Sequence, residues 1–137
     1  MMIIIDASVA IKWFVAQESG KDQALEILHS AKNKPQEFAV PELFFNEMLA
    51  VFCRLEKDLR LICEYLESLQ DFGFVRLGNG RRTLSLAAEL GTKYHLSGYD
   101  AIYAANAKLV GGLWITADER AHKKIASLKI SIPLSSL

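Results

Sequence analysis

The chain has 137 residues, 51% hydrophobic and 23% charged, a balance that disfavours disorder and predicts one folded domain over residues 1–137. Lys+Arg and Asp+Glu stand at 16 each, so net charge gives no pointer to nucleic acid, although a local basic rim can still border an acidic site. No apolar stretch approaches the roughly 18 residues of a membrane span. The short opening apolar run, without a basic start, is no secretory signal, and the chain is expected to be soluble and cytoplasmic.

Residues 2–5 read as a short buried strand. Asp6-Ala7-Ser8 then caps a helix running to about residue 15. A second helix spans about 19–32, with Ala24, Leu25, Ile27, Leu28 and Ala31 on one apolar face, and Asn33-Lys34-Pro35 breaks it. A strand over 38–40 leads to Pro41, which suits the first turn of a third helix reaching about residue 57. The fourth helix, 59–71, is nearly continuous with the third. Strand 74–77, the turn Gly78-Asn79-Gly80 and a fifth helix over 82–94 follow. Ser97 opens a sixth helix that Gly111-Gly112 stops. Strand 113–116, helix 118–127 and strand 130–132 complete the chain. Short buried strands alternating with helices predict an α/β/α sandwich built on a mostly parallel sheet. Cys53 and Cys63 fall in apolar helical segments and read as reduced core residues.

Four acids stand against apolar sequence: Asp6 after the run Met2-Ile3-Ile4-Ile5, Glu47 inside an apolar helix, Asp100 alone among uncharged neighbours, and Asp118 after Leu113-Trp114-Ile115-Thr116. A carboxylate against apolar surface is costly unless something neutralises it. In an open parallel sheet, ligands bind beyond the carboxyl ends of the strands. Asp6 and Asp118 lie just past two strands, and Asp100 lies in the first turn of a helix expected to start near that edge. Clustered carboxylates repel one another and hold protons more tightly, and a divalent cation reverses that balance. Oxygen donors suit Mg²⁺ or Mn²⁺, which points to metal-dependent phosphodiester cleavage. Each acid also has a structural reading. Asp6, Asp100 and Asp118 fit helix caps or capping boxes, and Glu47 can reach solvent from the edge of its apolar arc.

These residues resemble the PIN domain family, and within it the VapC-type toxins of prokaryotic toxin–antitoxin pairs. The resemblance rests on Ile5-Asp6-Ala7-Ser8-Val9 with Lys12-Trp13-Phe14, Pro41-Glu42 through Asn46-Glu47, Tyr99-Asp100-Ala101-Ile102-Tyr103-Ala104, and Thr116-Ala117-Asp118. It covers nearly the whole chain in order. It implies a Mg²⁺- or Mn²⁺-dependent endoribonuclease whose metal ligands are Asp6 and Asp100, with Glu47 and Asp118 completing the shell and the Ser8 and Thr116 hydroxyls supporting it. A homodimer and a small cognate antitoxin with a DNA-binding domain are implied as partners.

Lys12, Arg81, Arg82, Arg120, Lys123 and Lys124 are candidate contacts for RNA phosphates, set against a reading as solvated surface charge. Tyr99 and Trp13 are candidates to stack on a base or to pack as ordinary core and rim. The apolar surplus of residues 44–69 suits a partner helix, a second copy or a thick core. Two other functions fit an acidic set of this kind, a phosphatase for small phosphoesters and a PIN-like interaction module without turnover. A phospho-acceptor receiver domain fits less well, because only Asp6 lies near the first strand.

Overall fold

The computed structural model describes residues 1–15 and 18–137. Its frame is a five-stranded sheet in the order β3-β2-β1-β4-β5, with β1 (Ile3–Ile5), β2 (Phe38–Pro41), β3 (Val75–Leu77), β4 (Leu113–Thr116) and β5 (Ser131–Pro133). Every neighbouring pair is parallel, with Ile5 opposite Ile115 across β1 and β4 and Ile4 opposite Ala39 across β1 and β2. All four residues of β2 are buried. Successive strand residues point to opposite faces, so helices cover the sheet on both sides, as expected of an α/β/α sandwich. Parallel pairing also forces a crossover between each pair of strands, and the intervening helices supply it.

Helix α1 (Ala7–Ala10) tightens into a 3-10 turn, Ile11–Trp13, so the first helix is shorter than its pattern suggested. Trp13 is half-buried against Phe72 and Phe74, and its indole N–H donates to the Ala24 carbonyl at 2.8 Å. That is core packing, and the ring is not free to stack on a base. Helix α2 (Lys21–Asn33) follows. Helices α3 (Glu42–Leu55) and α4 (Leu59–Asp71) are separate, because Glu56 is extended and Asp58 caps α4 by accepting from the Arg60 N–H at 2.9 Å. Pro41 ends β2 and is the N-cap of α3 rather than a first-turn residue.

Cys53 and Cys63 are free but exposed, which corrects their expected place in the core. The buried arc of α3 is Phe44, Met48 and Phe52, at spacings of four residues, and residue 53 points off that arc. Ile62 and Leu69 play the same part on α4 and leave residue 63 outside.

Helices α5 (Arg81–Tyr94) and α6 (Gly98–Val110) form an antiparallel pair. Gly91 gives close approach there, since a side-chain carbon added to it would meet Ala101 Cβ at 3.4 Å. Six of the thirteen residues of α6 are buried, mostly alanines, and the small side chains let it lie tightly on the sheet. Gly111 caps α6 in the left-handed region at φ +65, and Gly112 passes so close to β1 that an added Cβ would fall 2.2 Å from the Met2 carbonyl oxygen. Helix α7 (Glu119–Ile125) and a 3-10 turn, Ala126–Leu128, lead into β5.

Gly112→Ala is expected to push β4 off β1 and to lower the unfolding free energy by about 1–3 kcal/mol, the usual cost of overpacking. Urea denaturation with an unchanged m-value checks this.

Candidate active site

The chain runs outward from β1 to β2 and β3, then returns to the other side of β1 for β4 and β5. The strand order therefore reverses between β1 and β4, where open α/β sheets form their ligand crevice. Asp6 follows β1 and Asp118 follows β4, which puts both carboxylates at that crevice.

Asp6 is 7% exposed. Its backbone N–H donates to the Ile115 carbonyl at 3.1 Å, extending the β1–β4 ladder by one step. Its side chain caps α1, with Oδ2 accepting from the Ser8 N–H at 2.8 Å, while Oδ1 accepts from the Trp114 indole N–H at 2.9 Å. Burial pushes the Asp6 carboxyl above the usual range, the Asp118 charge adds to this, and the bonds from Ser8 and Trp114 oppose it.

The turn after β4 is fixed by two hydroxyls. Ser8 Oγ accepts from the Ala117 N–H at 3.0 Å, and Thr116 Oγ1 accepts from the Asp118 N–H at 3.0 Å. The two oxygens lie 3.4 Å apart, so α1 and the β4–α7 turn are stitched together beneath the acids. Asp118 is itself the cap of α7, accepting from the Ala121 N–H at 3.1 Å. Asp118, not Thr116, is thus the cap of this helix, as its position after the strand suggested.

Asp100 sits in the first turn of α6, where the Ser97 hydroxyl accepts from its backbone N–H at 3.1 Å. Burial raises its proton affinity first, and the charges of Asp6 and Asp118 raise it further, while Ser97 and Lys124 oppose. Glu47 projects from α3, and its Oε1 accepts from the Tyr103 hydroxyl at 2.8 Å. Burial, then Asp6 and Asp100, push its carboxyl from 4.5 up to about 7 against the Tyr103 bond. The charge of Asp118 thus reaches Asp6 and Asp100, and the charges of Asp6 and Asp100 reach Glu47, although the four acids come from separate regions of the chain.

Tyr103 and Trp114 complete the arrangement and were not singled out from sequence as site residues. Their rings stack at 5.7 Å between centroids and 14° between planes. Each donates one hydrogen bond to an acid, so one aromatic pair holds Glu47 and Asp6 together. Burial and the charges of Asp6 and Glu47 drive the Tyr103 phenol well above its ordinary value, which keeps it a donor. The available signal was position, since Tyr103 lies three residues beyond Asp100 on one helical face.

The basic candidates divide. Lys12 is buried and paired with Glu18 at 3.4 Å, whereas Arg81, Arg82, Arg120, Lys123 and Lys124 are exposed. Lys124 Nζ donates to the His95 carbonyl at 2.9 Å and tempers Asp100. Tyr99 is 61% exposed.

Among the described residues, no three His, Cys, Asp or Glu side chains are gathered closely enough to hold an ion as they stand. Charge coupling acts over several ångströms, whereas Mg²⁺ ligation needs oxygens at about 2.0–2.1 Å. The hydrogen bonds to Asp6, Glu47 and Asp118 fix three of the four carboxylates where they stand. An all-carboxylate donor set fits a hard divalent cation and offers no thiolate or imidazole for a softer one.

The family profile described as the PIN domain matches residues 3–128. The chain belongs to the PIN domain family. No curated protein matches it in sequence. Solved structures with the same PIN fold include a toxin–antitoxin complex from Klebsiella pneumoniae, at 17% identity and TM-score 0.74 over 96% of this chain and 97% of that one. FitAB bound to the IR36 DNA fragment aligns at 16% identity and TM-score 0.78, over 99% of this chain and 97% of that one. VapBC2 from Rickettsia felis, bound to a DNA fragment from its promoter, aligns at 13% identity and TM-score 0.75 over 97% and 98%.

The raised carboxyl values set a sign for stability. Glu47 binds its proton more tightly folded than unfolded, so its contribution is full below pH 4.5 and is lost as pH rises through about 7. The shifts of Asp6 and Asp100 act in the same direction. Without divalent ions, the Tm of this PIN domain is expected to fall between pH 5 and pH 8, and Glu47→Gln to flatten that fall, as read by calorimetric melts in chelator.

Proposed function

We propose that this PIN domain, as a single domain over residues 1–137, is a Mg²⁺- or Mn²⁺-dependent endoribonuclease and the toxin of a VapBC-like toxin–antitoxin pair. The raised carboxyls of Asp6, Glu47 and Asp100 at the β1–β4 crevice, with the charge of Asp118 acting on Asp6 and Asp100, carry this reading. Asp6 and Asp100 would hold the ion, and Asp118 and Glu47 would complete its shell. When bound, the ion supplies a Lewis acid for a phosphate oxygen and lowers the pKa of a water upon it. Glu47, poised at about 7, is suited to orient the attacking water and take its proton at neutral pH. The water oxygen attacks phosphorus in line and the bond to O3′ breaks, leaving 5′-phosphate and 3′-hydroxyl ends. Tyr103 and Trp114 act through the acids they hold, Ser8 and Thr116 through the turn they brace.

The antitoxin proposal rests on the likeness to toxin–antitoxin structures and on one surface. Ile11, Phe14, Phe52, Leu55 and Tyr65 line an apolar cleft of about 300 Å³ beside α3 and α4, suited to the apolar face of a partner helix. A homodimer is part of the same proposal.

Purified protein is expected to cut a structured RNA with Mg²⁺ or Mn²⁺, to stop with chelator, and to leave p-nitrophenyl phosphate intact. Tyr103→Phe should slow cleavage about 10–100-fold, the range for losing a group that orients a metal ligand, and Asp100→Asn should slow it more. Cleavage that survives chelation would rule the mechanism out, and turnover of p-nitrophenyl phosphate without RNA cleavage would establish the phosphatase instead.

A further inference from the structure

Beside the acids, a cleft of about 420 Å³ opens between the start of α2 and the C-terminal turn, Leu134–Ser136. Lys12, Gly20, Asp118, Arg120, Leu134 and Ser135 are among its walls. Its volume falls within the roughly 300–1,000 Å³ of sites that enclose small ligands. Asp118 belongs both to this wall and to the carboxylate cluster, so the cleft continues the active site sideways.

Lys12 is the unusual member. It is 9% exposed, a burial that lysine seldom shows unless its charge is engaged. Its stem runs beneath Gly20, where an added side-chain carbon would meet Lys12 Cε at 3.8 Å and Leu134 Cδ2 at 3.2 Å. Lys21 Nζ braces the turn above by donating to the carbonyls of Lys12 at 2.9 Å and Val15 at 2.6 Å. The ammonium is thus set in place before any ligand arrives, and little side-chain freedom remains to be lost on contact.

Its present counter-ion is Glu18, at 3.4 Å and with a side chain 41% exposed. A long, half-solvated pair of this kind is weak, so an incoming phosphate can replace it. Arg120 adds a second cation, while the Glu119 carboxylate on the same wall is occupied by the Ser135 hydroxyl at 2.6 Å. Gly20 offers no side-chain cap to α2, and the first N–H of the helix, that of Lys21, donates to the Glu18 carbonyl at 3.2 Å. Mobile Lys and Arg side chains on open surface would offer charge without position, and the buried ammonium offers both.

We propose that this cleft seats the nucleotide next to the scissile phosphodiester of single-stranded RNA, with Lys12 and Arg120 contacting its phosphate. The inference rests on the nuclease reading above and names a subsite within it. An acidic side chain of a protein partner is the competing occupant, and it predicts unaltered RNA affinity in the variants that follow.

The test is equilibrium binding of a fluorescent single-stranded RNA across a salt series, in chelator and with the slowed Asp100→Asn variant as the parent. Lys12→Met is expected to weaken binding about tenfold at low salt and to flatten the log–log salt slope by about 0.7, the loss of one phosphate contact on a single strand. Lys12→Arg should keep the slope. Ser135→Trp, at an exposed position, should fill the cleft and weaken binding similarly, and it decides the matter if Lys12→Met does not fold. With Asp100 intact, both variants should raise KM more than they lower kcat. An unchanged slope in folded Lys12→Met, or unchanged affinity in folded Ser135→Trp, overturns the subsite alone. If the unmodified protein cuts no RNA, the nuclease reading falls and the subsite falls with it.

Discussion

A carboxylate buried at the reversal point of a parallel sheet is the constraint around which this molecule is arranged. Asp6 stands at the end of β1 among apolar strands, where an unpaired charge is costly. Three local features offset that cost: the Ser8 N–H, the Trp114 indole and the option of holding a proton. The strand order adds a complication, because it places Asp118 at the same crevice while α6 brings Asp100 and α3 brings Glu47. Burial and neighbouring charge together make Asp6, Asp100 and Glu47 harder to ionise. A protein optimised only for stability gains nothing from such convergence, and perturbed groups in a crevice are the usual mark of a functional site.

The structural roles of these acids coincide with the chemical roles proposed for them. Asp6 and Asp118 cap α1 and α7, so the bonds that start the helices also aim the side chains. Glu47 is aimed by Tyr103, whose ring lies on Trp114, whose indole in turn holds Asp6. One stacked pair therefore couples the outer carboxylate to the inner one. Beneath them, Ser8 and Thr116 join the turns after β1 and β4. Small residues make this geometry reachable: the alanines of α6 let it settle on the sheet, and Gly112 admits β1 and β4 at close range.

Much of this was legible in the sequence, because strand runs and apolar periodicities map directly onto buried faces. The strand over Leu113–Thr116 and the helix over Leu59–Asp71 lie where their patterns put them. The meeting of acids distant in sequence followed from placing each at a strand end or helix start. Other features were illegible for physical reasons. The burial of Lys12 goes with a turn whose φ is positive at Gly20 and which Leu134, far along the chain, approaches closely. Cys53 and Cys63 looked apolar by composition, but the narrow buried arcs of α3 and α4 leave them outside. The partnership of Tyr103 and Trp114 needs a helix stacked across a strand, which periodicity alone does not specify.

On the proposed reading, a divalent cation would draw these carboxylates together and offset their mutual charge. Binding must then displace protons, because Glu47, whose carboxyl is pushed up to about 7, has to ionise to become a ligand. The direct measurement is a calorimetric titration of Mn²⁺ into the protein, repeated in buffers of different ionisation enthalpy from pH 6 to pH 8. The predicted result is saturable binding with proton release that grows as the pH falls towards 6. No saturable binding, or binding that releases no protons at any of these pH values, would contradict the account.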